Sequence, residues 1–325
     1  MKLGILGAGG IAHTMADTVA AMSEAANYAV ASRSAEKSAA FAKRYGMEKA
    51  YGSYEELLAD PNVDLVYIAL PHSHHCEWTL AALNAGKNVL CEKAFAVNAA
   101  QARRMIDLAE QKGLLLAEAI WTRYMPSRRI IDDILASGRL GEARTLSANL
   151  GYDIDAVERI VRPELAGGAL LDLTVYPLNF ASMVFGNDLR RIEASCVMTD
   201  TGVDGQDSVM LEYADGRMAN LFTTIYAMTD RRGVVYGTKG RLEIDNINNP
   251  RELTVWSSER DDPRVVETIR VPEQISGYEY EVLACKKAIE AGKTECPEMP
   301  HGETIEIMEQ MDGIRARFGI AYPFE

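Results

Sequence analysis

Residues 2–12 read KLGILGAGGIA, a short apolar run that meets a glycine-rich turn and then a helical stretch continuing through Met22. Three small residues, Gly7, Gly9 and Ala12, form the pattern G-x-G-x-x-A. The first permits a tight turn, the second lets a pyrophosphate approach the backbone, and the third lets the helix pack on the strand. The N–H groups and the positive dipole end of this helix favour phosphate.

A strand, a turn and a helix at the N-terminus are the context in which this glycine pattern is informative. We therefore predict a dinucleotide-binding turn that includes Gly10 and Ile11 beside the three pattern residues. The alternative is a plain glycine turn.

The alternation of strand and helix continues through residues 1–120. Predicted strands cover 28–31, 63–70, 88–91 and 114–117, and predicted helices cover 35–45, 75–85 and 99–112. Strands joined by helices run parallel, and such crossovers are right-handed. We predict an α/β fold in which residues 1–120 form a Rossmann-type, doubly wound parallel sheet that binds the nucleotide.

The pattern changes in residues 121–325, for which we predict an α+β domain with a large, open and mostly antiparallel sheet that binds the substrate. Short links without helices indicate antiparallel neighbours. Predicted strands cover 144–149, 191–198, 208–213, 218–225, 233–236, 241–244, 253–256 and 265–271, and predicted helices cover 127–136, 169–185, 278–291 and 303–318.

The composition favours a folded small-molecule enzyme over several other classes. The formal charge is −13, which disfavours nucleic acid and anionic membrane surfaces as partners. The sequence has no run of 18 or more apolar residues and no signal peptide at its start, so we expect a cytoplasmic protein. Its five scattered cysteines form no C-x-x-C pair.

The end of the second predicted strand bears on the choice of cofactor. NAD-binding proteins place a carboxylate there for the adenosine ribose. This sequence has Ser32 and Arg33 instead, with Lys37 close behind. A guanidinium can pair with a 2′-phosphate through two parallel hydrogen bonds. We therefore favour NADP over NAD, although Arg33 and Lys37 could also be solvated surface charges.

Lys93 follows a predicted parallel strand, where ligands of doubly wound sheets collect. Such a lysine can donate to a substrate hydroxyl and stabilise developing charge, although it could equally be a surface residue opening a loop. Asp172 and Tyr176 are four residues apart in a predicted helix and would share a face. They suit proton transfer, but Asp172 could instead favour the helix dipole and Tyr176 could pack in the core.

Further candidates lie where the other predicted strands end. The predicted cofactor-binding set is completed by Leu70, Pro71, His75, Glu92, Lys93, Trp121 and Arg123. The predicted substrate-binding set is His72, Lys93, Trp121, Asp172 and Tyr176. His75 could instead cap or pack the next helix, and Trp121 and Arg123 could belong to the core. The spacing of the three histidines fits no zinc pattern, so we predict no metal site.

Together these residues resemble the Gfo/Idh/MocA family of oxidoreductases over essentially the whole chain. Its Glu-Lys-Pro signature falls on Glu92, Lys93 and Ala94, with alanine replacing proline, and its Asp-x-x-x-Tyr pair falls on Asp172 and Tyr176. Within the family, the EAIWTR stretch at residues 118–123 is similar to the dimeric dihydrodiol dehydrogenases, which also oxidise pentoses. The resemblance implies NADP, a carbohydrate or diol substrate, and Lys93, Asp172 and Tyr176 in catalysis. It also implies a homodimer or a higher homo-oligomer.

We therefore expect an NADP-dependent oxidoreductase that transfers a hydride between the nicotinamide and a CH–OH group of a sugar, polyol or cyclic diol. One alternative is a catalytically weak NADP(H)-binding regulator, suggested by Ala94. Another is an NAD-dependent inositol or amino-sugar dehydrogenase.

Overall fold

The computed structural model describes residues 1–258 and 263–325. These residues divide into two compact units, one made of Met1–Tyr124 and Gln274–Met308, the other of Met125–Glu273 and Glu309–Glu325. The segment 274–308 thus belongs to the same unit as the N-terminal residues.

The first unit contains a parallel sheet of six strands in the order β3-β2-β1-β4-β5-β6, the order of a doubly wound dinucleotide-binding sheet. The strands are β1 (Lys2–Leu6), β2 (Ala26–Ala31), β3 (Lys49–Tyr51), β4 (Leu65–Ile68), β5 (Asn88–Glu92) and β6 (Leu116–Ala119). The helices between them are α1 (Gly10–Ala20), α2 (Ala35–Tyr45), α3 (Tyr54–Leu58), α4 (His75–Asn84) and α5 (Ala99–Lys112). The strands β1, β4 and β5 are almost wholly buried, which explains why their sequences are runs of mostly apolar residues.

The helix ends follow from local chemistry. Asn98 caps α5 by accepting the N–H of Gln101 at 2.9 Å, and Gly113 ends this helix with φ +63°. In the parallel sheet and its connections, the sequence analysis missed the strand β3, which is only three residues long and largely exposed, and the helix α3, which has only five residues. Neither is long enough to show a periodic pattern.

The second unit contains a sheet of eight strands in the order β14-β13-β12-β11-β7-β10-β9-β8. In chain order its elements are α6 (Pro126–Ala136), β7 (Ala143–Gly151), α7 (Glu158–Val161), a π-helical turn (Leu170–Thr174), α8 (Val175–Phe185), β8 (Leu189–Met198), β9 (Asp204–Tyr213), β10 (Met218–Thr224), β11 (Gly233–Gly237), β12 (Gly240–Ile244), β13 (Glu252–Ser257) and β14 (Val265–Arg270). Two helices follow, α9 (Glu279–Glu290) in the first unit and α10 (His301–Phe318) with residues in both.

The second sheet is antiparallel except where β7 pairs with β10 in parallel. Helix α8 packs against β7 and β10. In β10, Ala219 and Leu221 are buried whereas Asn220 and Phe222 are exposed, so one face of the strand is packed and the other is open. The predicted fold class, a Rossmann sheet with an α+β partner, is confirmed.

One helical stretch, Pro163–Phe185, is long and apolar enough to cross a membrane by length and composition. Of its most apolar window, 89% is buried inside the protein, so the stretch is a core element of the second unit.

Candidate active site

The glycine turn between β1 and α1 has the geometry that its sequence requires. Gly7 has φ +108°, and a Cβ there would lie 2.4 Å from the carbonyl oxygen of Ala69, so only glycine fits. Gly9 and Gly10 are exposed, with no atom within 4 Å of an added Cβ. Gly9 makes no side-chain cap, so the first N–H groups of α1 face this open space. The turn therefore fits a pyrophosphate.

The end of β2 presents both signs of charge. Ser32 is buried and its hydroxyl donates to the carbonyl oxygen of Ser34 at 2.7 Å, whereas Arg33 and Lys37 are exposed. Ser34 caps α2 and also donates to Glu36 at 2.8 Å, a hydrogen bond that lowers the pKa of this carboxyl. Two cations and one carboxylate thus lie at the first turn of α2.

His75 ties together the segments that follow β4 and β5. Its Nδ1 lies 2.8 Å from the carbonyl oxygen of Ala94, and its Nε2 lies 2.8 Å from that of Leu70. Burial lowers the pKa of His75 to about 4, whereas these two acceptors favour the protonated ring. Because the ring is buried, we take it as neutral, donating to one carbonyl. A cofactor contact through either ring nitrogen would require one of these pairs to open.

Three neighbouring candidates accompany His75 after β4. Leu70 and Pro71 are half-buried, and His72 is buried with its ring centroid 5.6 Å from that of His75. The described residues contain no group of three histidine, cysteine, aspartate or glutamate side chains that could hold a metal ion.

Lys93 is the first residue after β5 and is half-buried. The neighbouring Glu92 side chain is 5% exposed, accepts a short hydrogen bond from the hydroxyl of Tyr67, and accepts the N–H of Lys93 at 3.2 Å. The Lys93–Ala94 peptide bond is cis. Glu92 is therefore held by two donors in the core, and it anchors the backbone from which the Lys93 side chain extends.

Trp121 belongs to a stacked aromatic pair. Its ring lies 4.3 Å from that of Tyr278 with an interplanar angle of 5°, and a Cβ on Gly277 would come within 2.7 Å of the indole. The Glu279 carboxylate holds this loop by accepting the N–H groups of Ile275 and Gly277, each at 2.7 Å. Trp121 is thus a fixed, 5% exposed aromatic side chain.

Arg123 lies in the core of the first unit, and its side chain is 1% exposed. It forms a short ion pair with Glu303. A direct contact between Arg123 and a cofactor phosphate would require the buried guanidinium to separate from Glu303, whose own side chain is 38% exposed.

In the second unit, Asp172 and Tyr176 are both buried near the start of one helical stretch. Asp172 Oδ1 lies 2.7 Å from a guanidinium nitrogen of Arg159, a residue whose side chain is 50% exposed. The predicted common face assumed α-helical spacing. That assumption is wrong for Asp172, which lies in the π turn Leu170–Thr174, where the backbone winds more loosely.

The structure therefore groups the candidates in two sets. The glycine turn, Ser32, Arg33, Leu70 and Lys93 all follow the carboxyl ends of strands in the parallel sheet. Asp172 and Tyr176 belong to the second unit. The sequence analysis missed Arg159, Tyr67 and Tyr278, because each meets its partner from a distant part of the chain.

Comparisons with known proteins agree with this architecture. The family described as "Oxidoreductase family, NAD-binding Rossmann fold" matches residues 1–119, and the "GFO/IDH/MocA C-terminal domain" matches residues 129–243. The trans-1,2-dihydrobenzene-1,2-diol dehydrogenase of Mus musculus is 35% identical over 99% of this chain and 98% of its own length. That of Sus scrofa is 37% identical over 91% of this chain and 89% of its own.

Among solved structures, a 3-ketoreductase from Actinomadura kijaniata in complex with NADP and TDP-benzene has a TM-score of 0.88 and 28% identity, with 97% of each chain covered. A levoglucosan dehydrogenase in complex with NADH shares the fold, with a TM-score of 0.85 and 19% identity over 98% of this chain and 97% of its own. The predicted NAD(P)-binding dehydrogenase is thereby confirmed at the level of the family. This chain belongs to the GFO/IDH/MocA family of oxidoreductases.

Proposed function

We propose that this protein is an NADP-dependent dehydrogenase that transfers a hydride between the nicotinamide and a CH–OH group of a sugar, polyol or cyclic diol. Relatives at 35% and 37% identity are dehydrogenases of a 1,2-diol. A similar structure is a ketoreductase bound to NADP. The first name describes the oxidation of a diol and the second the reduction of a keto group, and a nicotinamide supports both reactions.

One observation carries the proposal: the open glycine turn after β1 and Lys93 after β5 lie at the same edge of one parallel sheet. The turn offers N–H groups to an anionic cofactor, and Lys93 offers a cation for the reacting oxygen. When bound, the nicotinamide supplies or accepts the hydride.

The side chains of this protein then manage the hydroxyl group. We assign to the Lys93 ammonium a hydrogen bond to the substrate oxygen, which stabilises the negative charge that develops when hydride leaves the carbon. Tyr176 exchanges the hydroxyl proton: its phenolate accepts the proton in oxidation, and its phenol returns the proton in reduction. Asp172 orients the substrate by accepting a hydrogen bond from a hydroxyl, and Arg159 pairs with this carboxylate at 2.7 Å. His72 and Trp121 are assigned to the walls of the substrate site.

The preference for NADP rests on the first turn of α2. Arg33 and Lys37 are exposed beside a helix N-terminus, and all three attract a 2′-phosphate. Glu36 is the observation that favours a second candidate, an NAD-dependent enzyme, because its ionised carboxylate could accept the ribose 2′-hydroxyl instead.

The test of activity combines a substrate panel with rapid kinetics. Wild-type protein is assayed with NADP and NAD against sugars, polyols and cyclic diols. The best substrate is then followed by stopped-flow absorbance in Lys93→Met and in Lys112→Met, a control that removes an exposed lysine at the end of α5. We expect the hydride-transfer rate to fall by about two to four orders of magnitude in the first variant only. A wild-type rate in Lys93→Met would remove Lys93 from the mechanism.

The cofactor assignment has its own test. Dissociation constants for NADPH and NADH are compared in wild type, Arg33→Asp and Lys43→Ala, the last removing an exposed cation at the far end of α2. Loss of a charge-assisted contact of about 1.5–3 kcal/mol weakens NADPH about tenfold to 150-fold. Equal weakening of NADH and NADPH by Arg33→Asp would contradict the 2′-phosphate assignment.

A further inference from the structure

Two aspartates near the start of β9 lie in the core of the second unit. Asp204 is 0% exposed and Asp207 is 1% exposed. Taking an ionised carboxylate out of water is costly unless hydrogen bonds or an opposite charge compensate for it. Their burial side by side therefore requires a physical reason.

Each aspartate binds one end of the π turn. One oxygen of Asp204, Oδ2, accepts a short hydrogen bond from the N–H of Leu170, the first residue of the turn. The corresponding oxygen of Asp207 accepts the hydroxyl of Thr174, the last residue of the turn, at 2.7 Å. Thr174 also contacts Thr223 of β10 at 2.6 Å between hydroxyl oxygens. Asp172 lies midway between the two attachment points.

Gly168 makes room for this arrangement. It has φ +117°, and an added Cβ would lie 2.2 Å from Asp204 Oδ1. The carboxyl group therefore packs directly against the backbone that leads into the turn, a place that no residue with a side chain could occupy unchanged.

The two carboxyl groups also lie within hydrogen-bonding reach of each other. Each keeps one oxygen, Oδ1, without a hydrogen-bond donor among the described residues. Two ionised carboxylates at this separation repel one another, whereas a single proton between them provides both oxygens with a partner. The aspartic-protease dyad follows the same rule.

Other titratable groups that face the pair stay neutral. These are Cys196 on β8, Tyr226 just beyond β10, and Tyr322 in the C-terminal segment. Burial raises the pKa of the Cys196 thiol to about 11 and raises the pKa of both phenols. At neutral pH none of these three side chains therefore carries a charge that could offset the negative charge of the two aspartates. A proton shared by the aspartates has to do so.

We infer that Asp204 and Asp207 share one proton and act as positioning residues, holding the π turn in the form that presents Asp172 to Arg159 and places Tyr176 just beyond it. The inference rests on the proposed function for the roles of Asp172 and Tyr176. A π turn is rare and frequently marks a functional site, which agrees with a device that maintains it.

The first test replaces one partner. Asp207→Asn keeps an acceptor for Thr174 and supplies an amide donor to Asp204, so this variant needs no shared proton. Asp207→Ala removes the contact. We expect kcat to fall about tenfold to a hundredfold in Asp207→Ala and to stay near wild type in Asp207→Asn. The dissociation constant for NADPH stays unchanged in both, because the predicted cofactor residues belong to the other unit.

The second test does not depend on turnover. Amide hydrogen exchange of residues 170–176, corrected for intrinsic rates, is followed from about pH 5 to about pH 9 in wild type and Asp207→Asn. Burial raises the pKa of the pair, so the stability that the shared proton provides is present at acidic pH and is lost as the pH rises through that raised pKa. Exchange at the turn should therefore accelerate with pH in wild type and remain flat in the variant.

Three results would overturn the inference: equal exchange in wild type and Asp207→Asn across this range, a folded Asp207→Ala protein with unchanged kcat, or Asp207→Asn with the same defect as Asp207→Ala. If Asp207→Ala does not fold, the pH dependence of amide exchange in wild type and in Asp207→Asn still tests whether the shared proton holds the turn. If wild type turns over nothing in the CH–OH panel, the proposed function fails, and the exchange measurement still decides whether the pair holds the turn.

Discussion

In the glycine turn, single glycine-to-alanine substitutions should distinguish the residues that stabilise the fold from those that bind the cofactor. Gly7 and Gly9 are two residues apart, yet the structure gives them opposite surroundings. At Gly7, φ is +108° and an added Cβ lies 2.4 Å from a backbone oxygen. At Gly9, φ is −91° and ψ is −174°, and no atom lies within 4 Å of an added Cβ. Alanine should therefore damage the fold at the first position and only the cofactor site at the second.

The magnitudes follow from these surroundings. Holding alanine at a positive φ costs about 1–3 kcal/mol, to which the clash with Ala69 adds in Gly7→Ala. At about 2–4 °C per kcal/mol, the melting temperature should fall by several degrees. In Gly9→Ala the free energy of unfolding should stay within about 1 kcal/mol of wild type. Its methyl group instead displaces a phosphate from the N–H groups, which weakens NADPH about tenfold to 150-fold per hydrogen bond lost.

The assay pairs thermal unfolding with a fluorescence titration of NADPH. Gly302→Ala serves as the control, because this exposed glycine of α10 also has no atom within 4 Å of an added Cβ. It should bind NADPH as wild type does. A folded Gly9→Ala protein with wild-type affinity would show that the pyrophosphate does not lie on this turn, and undiminished stability of Gly7→Ala would contradict the geometry at β1.

Three further expectations concern other parts of the chain. Burial raises the pKa of Glu118 to about 7, so its neutral form stabilises the fold fully below its ordinary value of 4.5, and this contribution is lost as the pH rises through 7. Relative to Glu118→Gln, the free energy of unfolding of wild type should fall by about 3 kcal/mol over that range in chemical denaturation; parallel pH profiles would contradict this. Gly277→Ala should displace Trp121 from its stacked partner Tyr278, which should shift the indole emission and raise the substrate KM; an unshifted spectrum would show that the loop at Gly277 moves instead. Phe222, 48% exposed on the open sheet face, should contact a second copy of the chain, so Phe222→Glu should halve the mass measured by light scattering; an equal mass for both proteins would place any interface elsewhere.

The sequence analysis succeeded where structure follows from local pattern. The glycine turn, the buried strands of the first sheet and the strands of the second sheet each have a periodicity or a turn residue that identifies them. The parallel pairing of β7 with β10 has no such signal, because it joins strands more than 60 residues apart. The π turn was equally hidden, since the apolar run LLDLT at residues 170–174 reads the same in an α-helix.

The candidate site was predictable only in part, for the same reason. Lys93 could be placed by its position after a strand, but the Tyr67 hydroxyl that holds Glu92 comes from the neighbouring strand, and strand register is invisible before the sheet is known. Arg159 lies in the four-residue helix α7, where nothing in its own sequence distinguishes it from a solvated arginine. Its role follows only from the 2.7 Å contact with Asp172.

The adjacent glycines before the π turn explain how that contact arises. Added to Gly167, a Cβ would lie 2.4 Å from the carbonyl oxygen of Ile160 and 2.8 Å from that of Arg159, so this glycine lets the backbone of α7 pack against the chain. Gly168 makes the corresponding room for Asp204. Gly167 thus leaves room for the segment that carries Arg159, the partner of Asp172. Gly168 leaves room for the Asp204 carboxyl group, which accepts the N–H of Leu170 at the start of the turn. Gly167 and Gly168 are therefore where two distant parts of the second unit, α7 and the start of β9, pack against the segment that leads into the π turn.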